Sequence, residues 1–272
     1  MTKKKRTWIF TLLALLIAAL HISPFYIMIN MSLKTLSDRS SRWMPALHPH
    51  FENYVTAMEH GNLMSAMWNT FQITALSVII IVVAGAMAAY PLARKASRKN
   101  QIILTFIVGV MMVPQLSILV PLYKEMVTLK GINKLWGIVI VSATFHLPMA
   151  IYMYSNFIRS IPKELDEAAM IDGCSRMQAF FRVILPCLKS TTVSVIILNG
   201  VGIWNDYQFQ LYFLQKPAMR TITLAISTFF TDSKQDLGAA AAAAFIVVLP
   251  PVLIYIFLQK YFVKGAMDSA VK

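Results

Sequence analysis

The chain has 272 residues, of which 57% are hydrophobic and only 14% charged. A soluble globular chain is nearer about 25% charged, which excludes an ordinary soluble enzyme and indicates a single bundle in lipid. The formal charge is +13, but the basic residues sit between apolar blocks and not in one stripe or tail, so they speak for membrane orientation and against a nucleic-acid partner.

Six apolar segments are long enough, or nearly so, to cross a hydrocarbon core of about 30 Å at about 1.5 Å per residue. They run from Trp8 to Met31, Thr70 to Ala93, Ile102 to Tyr123, Leu135 to Phe157, Thr191 to Leu214 and Ala239 to Phe262. The first follows the basic start Lys3-Lys4-Lys5-Arg6. It exceeds a signal-peptide core and no small-residue cleavage site follows it, so it reads as an uncleaved first helix. Residues 1–272 are expected to form one membrane domain, with a core over 70–262 and the helix at 8–31 preceding it. Of the 25 Lys and Arg residues, 16 fall on the side of both termini and 9 on the other. The excess marks the first side as cytoplasmic, with both termini inside.

Pro24, Pro91, Pro114, Pro121, Pro148, Pro250 and Pro251 fall inside or near these segments. Each removes a backbone donor and can kink a helix. Ordinary bundle irregularity and a mobile gate both fit them. The run Ala239 to Ala244 offers a small-residue surface that lets another helix approach closely.

The loop between segments four and five carries the most local information. Ser160 reads as an N-cap, Pro162 falls in the first turn, and Glu164, Asp166 and Glu167 favour the positive helix end. Leu165, Ala168 and Ala169 are expected on one face, and Gly173 permits the left-handed backbone that stops a helix. Ser175 and Gln178 have the spacing of a capping box that opens a second helix. Met177, Phe180, Phe181, Ile184, Leu185 and Leu188 then recur at helical spacing as one apolar stripe, and Pro186 interrupts it. A short rigid helix-Gly-helix on the cytoplasmic face follows, with carboxylates and alanines as a docking surface. An amphipathic pair lying on lipid is the alternative, but acidic residues fit poorly against an anionic leaflet. Cys174 and Cys187 lie in the same loop, lack metal-ligand spacing and read as structural thiols.

Glu167-Ala168-Ala169-Met170-Ile171-Asp172-Gly173, followed by Val183-Ile184-Leu185-Pro186, resembles the EAA motif of permease subunits of ATP-binding-cassette importers. Ala88-Ala89-Tyr90-Pro91-Leu92-Ala93-Arg94, Met112-Val113-Pro114 with Pro121-Leu122-Tyr123, Leu135-Trp136-Gly137, Trp204-Asn205-Asp206-Tyr207, and Phe262-Val263-Lys264-Gly265 with Ala270-Val271-Lys272 are similar to carbohydrate permeases of the maltose type. Pro91 departs from the commoner alanine. The resemblance implies an all-α membrane protein with six transmembrane helices and a coupling helix-turn-helix between the fourth and fifth. Glu167, Ala168, Ala169, Asp172 and Gly173 would then couple to a cytoplasmic ATPase dimer. It implies a second permease subunit, an extracellular or lipid-anchored solute-binding protein that touches the loop Thr221 to Phe230, a sugar substrate, and a bacterial cytoplasmic membrane. Glycerol-phosphate permeases share much of this pattern.

No phosphate-cradling G-x-x-x-x-G-K-[ST] is present in the sequence. ATP and Mg are therefore expected on the partner ATPase, with no cofactor, metal site or catalytic residue on this chain. Asn199, Trp204, Asn205, Asp206 and Tyr207 are the candidate pathway residues, with Gln208, Gln210 and Tyr212 nearby. The same polar groups could equally hold helices together. His21 and His146 read as packing or capping groups. An ion-gradient transporter would need buried coupling carboxylates, for which Asp206 is the one acidic candidate inside a segment. A scaffold without transport leaves the loop unexplained.

Overall fold

A computed structural model describes residues 3–231 and 236–270, and the Val271-Lys272 end of the last motif lies outside them. Among the described residues every regular element is a helix, and residues 33–51 form a non-helical stretch after the first of them. In chain order the helices are α1 (Lys3–Ser32), α2 (Glu52–His60), α3 (Leu63–Arg94), α4 (Arg98–Val110), α5 (Leu119–Thr128), α6 (Leu135–Ser160), α7 (Glu164–Ile171), α8 (Arg176–Ala179), α9 (Leu185–Cys187), α10 (Lys189–Trp204), α11 (Gln208–Phe213), α12 (Ile222–Thr231) and α13 (Leu237–Ala270). Four stretches, Trp8–Ser32, Leu63–Arg94, Leu135–Ser160 and Leu237–Gln259, are continuous and apolar enough to cross a membrane, or six if two bent pairs each count as one span.

Segments three and five are therefore not the continuous helices that their hydropathy predicts. In segment three, α4 stops at Val110, and the pair Arg98–Val110 and Gln115–Thr128 is bent by 90°. Pro114 sits in the break with an extended backbone; it has no N–H to continue the ladder. Pro24, Pro91 and Pro148, by contrast, lie within helices that stay continuous. The pair Arg176–Cys187 and Lys189–Trp204 is bent by 74°. Segment five itself ends as a helix at Trp204, and a separate short helix, α11, follows.

The chain divides into two compact units, residues 1–65 with 224–250 and residues 66–223 with 251–272. In the first, a set of side-chain amides ties down the stretch after α1. Asn30 Nδ2 donates to the Arg42 and Met44 carbonyls, both at 2.7 Å, and its Oδ1 accepts from Ala46 N–H at 3.0 Å. Asn53 Nδ2 donates to the Ser32 and Lys34 carbonyls at 2.9 and 2.8 Å. Ala239, Ala240, Ala242 and Ala243 are buried, as a small-residue packing surface requires.

In the second unit, α3, α6 and α10 form the packed centre. Ser77 Oγ donates to the Val139 carbonyl at 3.2 Å, and Tyr154 Oη donates to Thr192 Oγ1 at 3.0 Å. At Gly85 the two long helices come so close that a Cβ would lie 3.1 Å from Ala150 Cβ and 3.6 Å from the Tyr154 ring. Outward-facing positions are apolar too, as with Ile79, Ile80 and Val83 on α3; in lipid an exposed apolar side chain costs nothing. Gly85→Leu is expected to force α3 and α6 apart and to cost about 1–3 kcal/mol. A thermal-unfolding midpoint unchanged from wild type in detergent would contradict that contact.

Candidate coupling loop and polar pathway residues

The loop is built from the end of α6. Ser160 does not cap the next helix as the sequence suggests. It is the last residue of α6, and its Oγ donates back to the Phe157 carbonyl at 2.8 Å. Ile161 is extended, Pro162 follows, and α7 opens at Lys163 without a side-chain cap. Glu164, Asp166 and Glu167 do occupy its first turn, where the helix dipole favours them.

The end of α7 is fixed by its backbone. Gly173 N–H donates to the Met170 carbonyl at 3.1 Å, and Cys174 N–H donates to Ala169 at 2.9 Å. These are the two bonds of a Schellman motif, with Gly173 at φ +85°. A Cβ there would meet nothing within 4 Å, so the constraint is conformational and not steric crowding. The next helix starts with the expected reciprocal cap: Gln178 N–H donates to Ser175 Oγ at 3.3 Å, and Ser175 N–H donates to Gln178 Oε1 at 2.8 Å.

Beyond it, Phe180–Ile184 is a π turn in which Leu185 N–H reaches the Phe180 carbonyl. Pro186 explains the wider turn: it cannot donate to Arg182, and its ring crowds that carbonyl. The turn also splits the apolar stripe. Phe180, Ile184 and Leu188, four residues apart, are buried, whereas Met177 and Phe181 are 56% and 47% exposed. The first helix divides similarly. Asp166 and Ala169 face inward, while Leu165, Glu167 and Ala168 face outward with Asp172 and Gly173. Leu165, Ala168 and Ala169 thus do not share a face, and only one of the two alanines is free for close approach.

Asp166, to which the sequence assigns only a place at the positive end of α7, has a further role. Its carboxylate accepts a hydrogen bond from Tyr90 Oη at 2.5 Å, and its Oδ2 lies 2.7 Å from Arg94 Nη2. That second contact is an ion pair without aligned hydrogen-bond geometry. Arg94 Nη1 also donates to the Ile158 and Ile161 carbonyls at 3.0 and 2.7 Å, and Nη2 donates to Pro162 at 3.5 Å. Tyr90 packs on Phe180 with ring centroids 5.0 Å apart. One guanidinium at the end of α3 therefore holds the end of α6, the strap to α7 and α7 itself. The signal was present in Tyr90 and Arg94 of the second-segment motif, but nothing in it named the partner.

The pathway candidates separate by environment. Asn199 is 2% exposed, and its amide donates to the Val195 carbonyl of its own helix at 2.8 Å. Trp204 is buried, while Asn205 and Tyr207 are exposed in the break between α10 and α11. Asn205 Nδ2 donates to Val201 at 2.9 Å. Asp206 Oδ1 accepts from Phe209 N–H at 3.3 Å, and its buried Oδ2 has no hydrogen-bond partner among the described residues. Gln210 is structural: its Oε1 accepts from Thr221 Oγ1 and, at 3.2 Å, from Thr223 Oγ1, which holds the chain after α11. His21 and His146 each contact a carbonyl four residues back through Nδ1, at 2.8 and 2.9 Å.

Residues 81–267 match the family model described as the binding-protein-dependent transport system inner membrane component. The chain is 39% identical over its full length to a melibiose/raffinose/stachyose import permease protein of Bacillus subtilis, covering 98% of that protein. It is 32% identical to a probable starch degradation products transport system permease protein of Thermoanaerobacterium thermosulfurigenes, over 97% of each chain. Among solved structures, a chain of a bacterial ABC transporter that imports the acidic polysaccharide alginate superposes with a TM-score of 0.80 at 18% identity, over 96% of this chain and 99% of that one.

Two substitutions in the loop have opposite expectations. Asp166→Ala leaves the nearly buried Arg94 charge unpaired and should cost roughly 3 kcal/mol, whereas the exposed Glu167→Ala should stay within about 0.5 kcal/mol. Denaturant unfolding in detergent checks the pair, and equal losses would remove Asp166 from its structural role. Gly173→Ala should cost about 1 kcal/mol through its backbone alone, while Gly173→Pro, which also loses the donor to Met170, should abolish loop assembly as read by limited proteolysis.

Proposed function

Because the chain belongs to the family of binding-protein-dependent transport system inner membrane components, we propose that it is the transmembrane permease subunit of an ABC importer that carries an oligosaccharide into the cytoplasm. It is a multi-pass membrane protein of that family. The names of the full-length relatives, which move melibiose, raffinose and stachyose or starch degradation products, support a short oligosaccharide as cargo. Hydrolysis belongs to separate subunits that bind ATP and Mg, and this chain has no reaction of its own. The family description also supports a solute-binding protein that delivers the cargo from outside, and a second permease subunit completes the pathway. Both termini and the loop at Glu167 face the cytoplasm, on the side with the excess of Lys and Arg.

The observation that carries this reading is the outer face of the coupling loop. Ile171 is 85% exposed at the end of α7, beside Leu165, Ala168 and Met170, with Glu167 and Asp172 on the same free side and Met177 and Phe181 on the following turns. An apolar patch of this kind outside the spanning helices calls for a cover, and its carboxylates suit Arg or Lys on an ATPase groove. Its back is fixed by Arg94 and Phe180, so a push on the face reaches the ends of α3 and α6 without first being absorbed by slack in the loop. At the far side of the bundle, Asn205, Asp206 and Tyr207 in the helix break supply the polar and aromatic contacts for sugar. Asn199, only 2% exposed, is the least accessible of the candidates.

Reconstitution of the chain with its ATPase, partner permease and binding protein tests the proposal. Ile171→Asp is expected to abolish co-purification of the ATPase and oligosaccharide-stimulated hydrolysis, with no shift in thermal unfolding of the isolated chain. Uptake that persists when the ATPase subunits are omitted would overturn the reading in favour of an ion-gradient mechanism.

A further inference from the structure

On the same side of the second unit as the coupling loop, a cavity of about 280 Å³ opens between the loop after α3 and the end of α6. Its wall contains Arg94, Lys95, Arg159 and Lys163, and no carboxylate lines it. Arg94 is neutralised by Asp166. Lys95, Arg159 and Lys163 make no ion pair among the described residues, so three cations face one space with no counter-ion from the chain.

Solvated positive charge is ordinary at a membrane boundary, but this rim is built. Asn100 Nδ2 donates to the Pro91 and Lys95 carbonyls, both at 2.9 Å, which pins the loop that carries Lys95. Arg94 holds the Ile158 and Ile161 carbonyls, which fixes the opposite rim where Arg159 and Lys163 sit. The backbone that carries the three cations is thus fixed on both rims of the cavity by hydrogen bonds. Leu92, at the end of a helix apolar enough to span the membrane, forms part of the wall, so the cavity joins an apolar helix end to a cationic rim.

From this placement we propose that the cavity binds the phosphate of an anionic phospholipid headgroup, with its acyl chains remaining against α3. The volume suits a headgroup rather than a complete drug-sized ligand, whose pockets start near about 300 Å³. Basic residues close to the membrane surface gain roughly 1 kcal/mol each from anionic lipid, and a cavity that gathers three of them concentrates that gain at one phosphate. The bound headgroup would bridge the α3–α4 loop to the strap at Lys163, next to the Arg94–Asp166 pair, and would tighten the seat of the coupling loop. The proposal rests on reading this end of α3 as a membrane boundary, and it does not need the loop to dock an ATPase.

The full chain, co-purified with its partner subunits in nonionic detergent, would be titrated with phosphatidylglycerol or phosphatidylcholine and bound lipid counted by native mass spectrometry. Wild type should hold phosphatidylglycerol about tenfold or more tighter than phosphatidylcholine, and the combined Lys95→Gln, Arg159→Gln, Lys163→Gln variant should lose that preference. Lys95→Arg with Lys163→Arg should keep it. Lys124→Gln, Lys130→Gln and Lys134→Gln together, removing equal charge elsewhere, should leave it intact. If the triple variant fails to fold, Arg159→Gln and Lys163→Gln singly should each weaken phosphatidylglycerol about fivefold. Equal retention by the cavity variants, or equal loss in the control, overturns the site. Displacement of the lipid by millimolar inorganic phosphate, lost in the same cavity variants, overturns the lipid assignment in favour of a soluble phosphate. Lipid counting is independent of hydrolysis, so a failed ATPase-docking experiment leaves this readout untouched.

Discussion

Arg94 solves the problem left at the end of α6. The last carbonyls of a helix have no partner within it, and in this chain the strap Ile161–Lys163 turns away at once. The Arg94 guanidinium reaches across from the end of α3 to the carbonyls of Ile158, Ile161 and Pro162 and sets its charge against Asp166. A planar fork with five donors is suited to this, and a lysine would cover fewer of the same acceptors. The start of α7 is therefore positioned by α3 as well as by the chain that leads into it. Tyr90 adds a second bond to the same carboxylate and packs its ring on Phe180, so both helices of the loop are registered on one turn of α3.

That arrangement gives the loop one fixed side and one free side. Asp166, Ala169, Phe180, Ile184 and Leu188 are turned inward, and Ile171, Glu167, Met177 and Phe181 are left outward. The proposed coupling role needs this asymmetry: a soft back would absorb the movement of a docked partner, and a covered front would leave nothing to dock. The Schellman bonds at Gly173 and the reciprocal cap at Ser175 keep the two helices of the loop from changing their angle. The basic cavity beside Arg94 lies against this seat, so membrane composition and ATPase docking would act on neighbouring parts of one structural element.

The prolines show how context changes the outcome of one chemistry. Pro24, Pro91 and Pro148 each remove a helix donor, yet α1, α3 and α6 run through them. Pro114 follows a turn and lies at a 90° bend, and Pro186 sits after a π turn. Helix ladders in lipid lose no bonds to water, so an isolated missing bond leaves the helix intact unless neighbouring geometry also favours a break. The break after Trp204 has no proline at all; there Asp206 accepts the Phe209 N–H and so starts α11, which places polar side chains at a helix interruption.

The sequence by itself determined the features whose bonds close within a few residues. The six apolar stretches follow from composition and length, the stop at Gly173 from its lack of a Cβ, and the start at Ser175 from a cap three residues long. Each needs only neighbours along the chain. The tertiary structure decided the rest. The Tyr90–Asp166 bond spans 76 residues, and no local pattern distinguishes Asp166, which turns inward, from Glu167, which turns outward. Ser160 had the composition of a cap but was taken up by the end of α6. The phase of the Phe180–Leu188 stripe depended on the π turn before Pro186, and the continuity of segments three and five on whether surrounding groups satisfied the backbone at Met111–Pro114 and Asn205–Tyr207. A short-range hydrogen bond is encoded where its residues stand, but the choice between partners far apart in the chain is made only when packing brings them together.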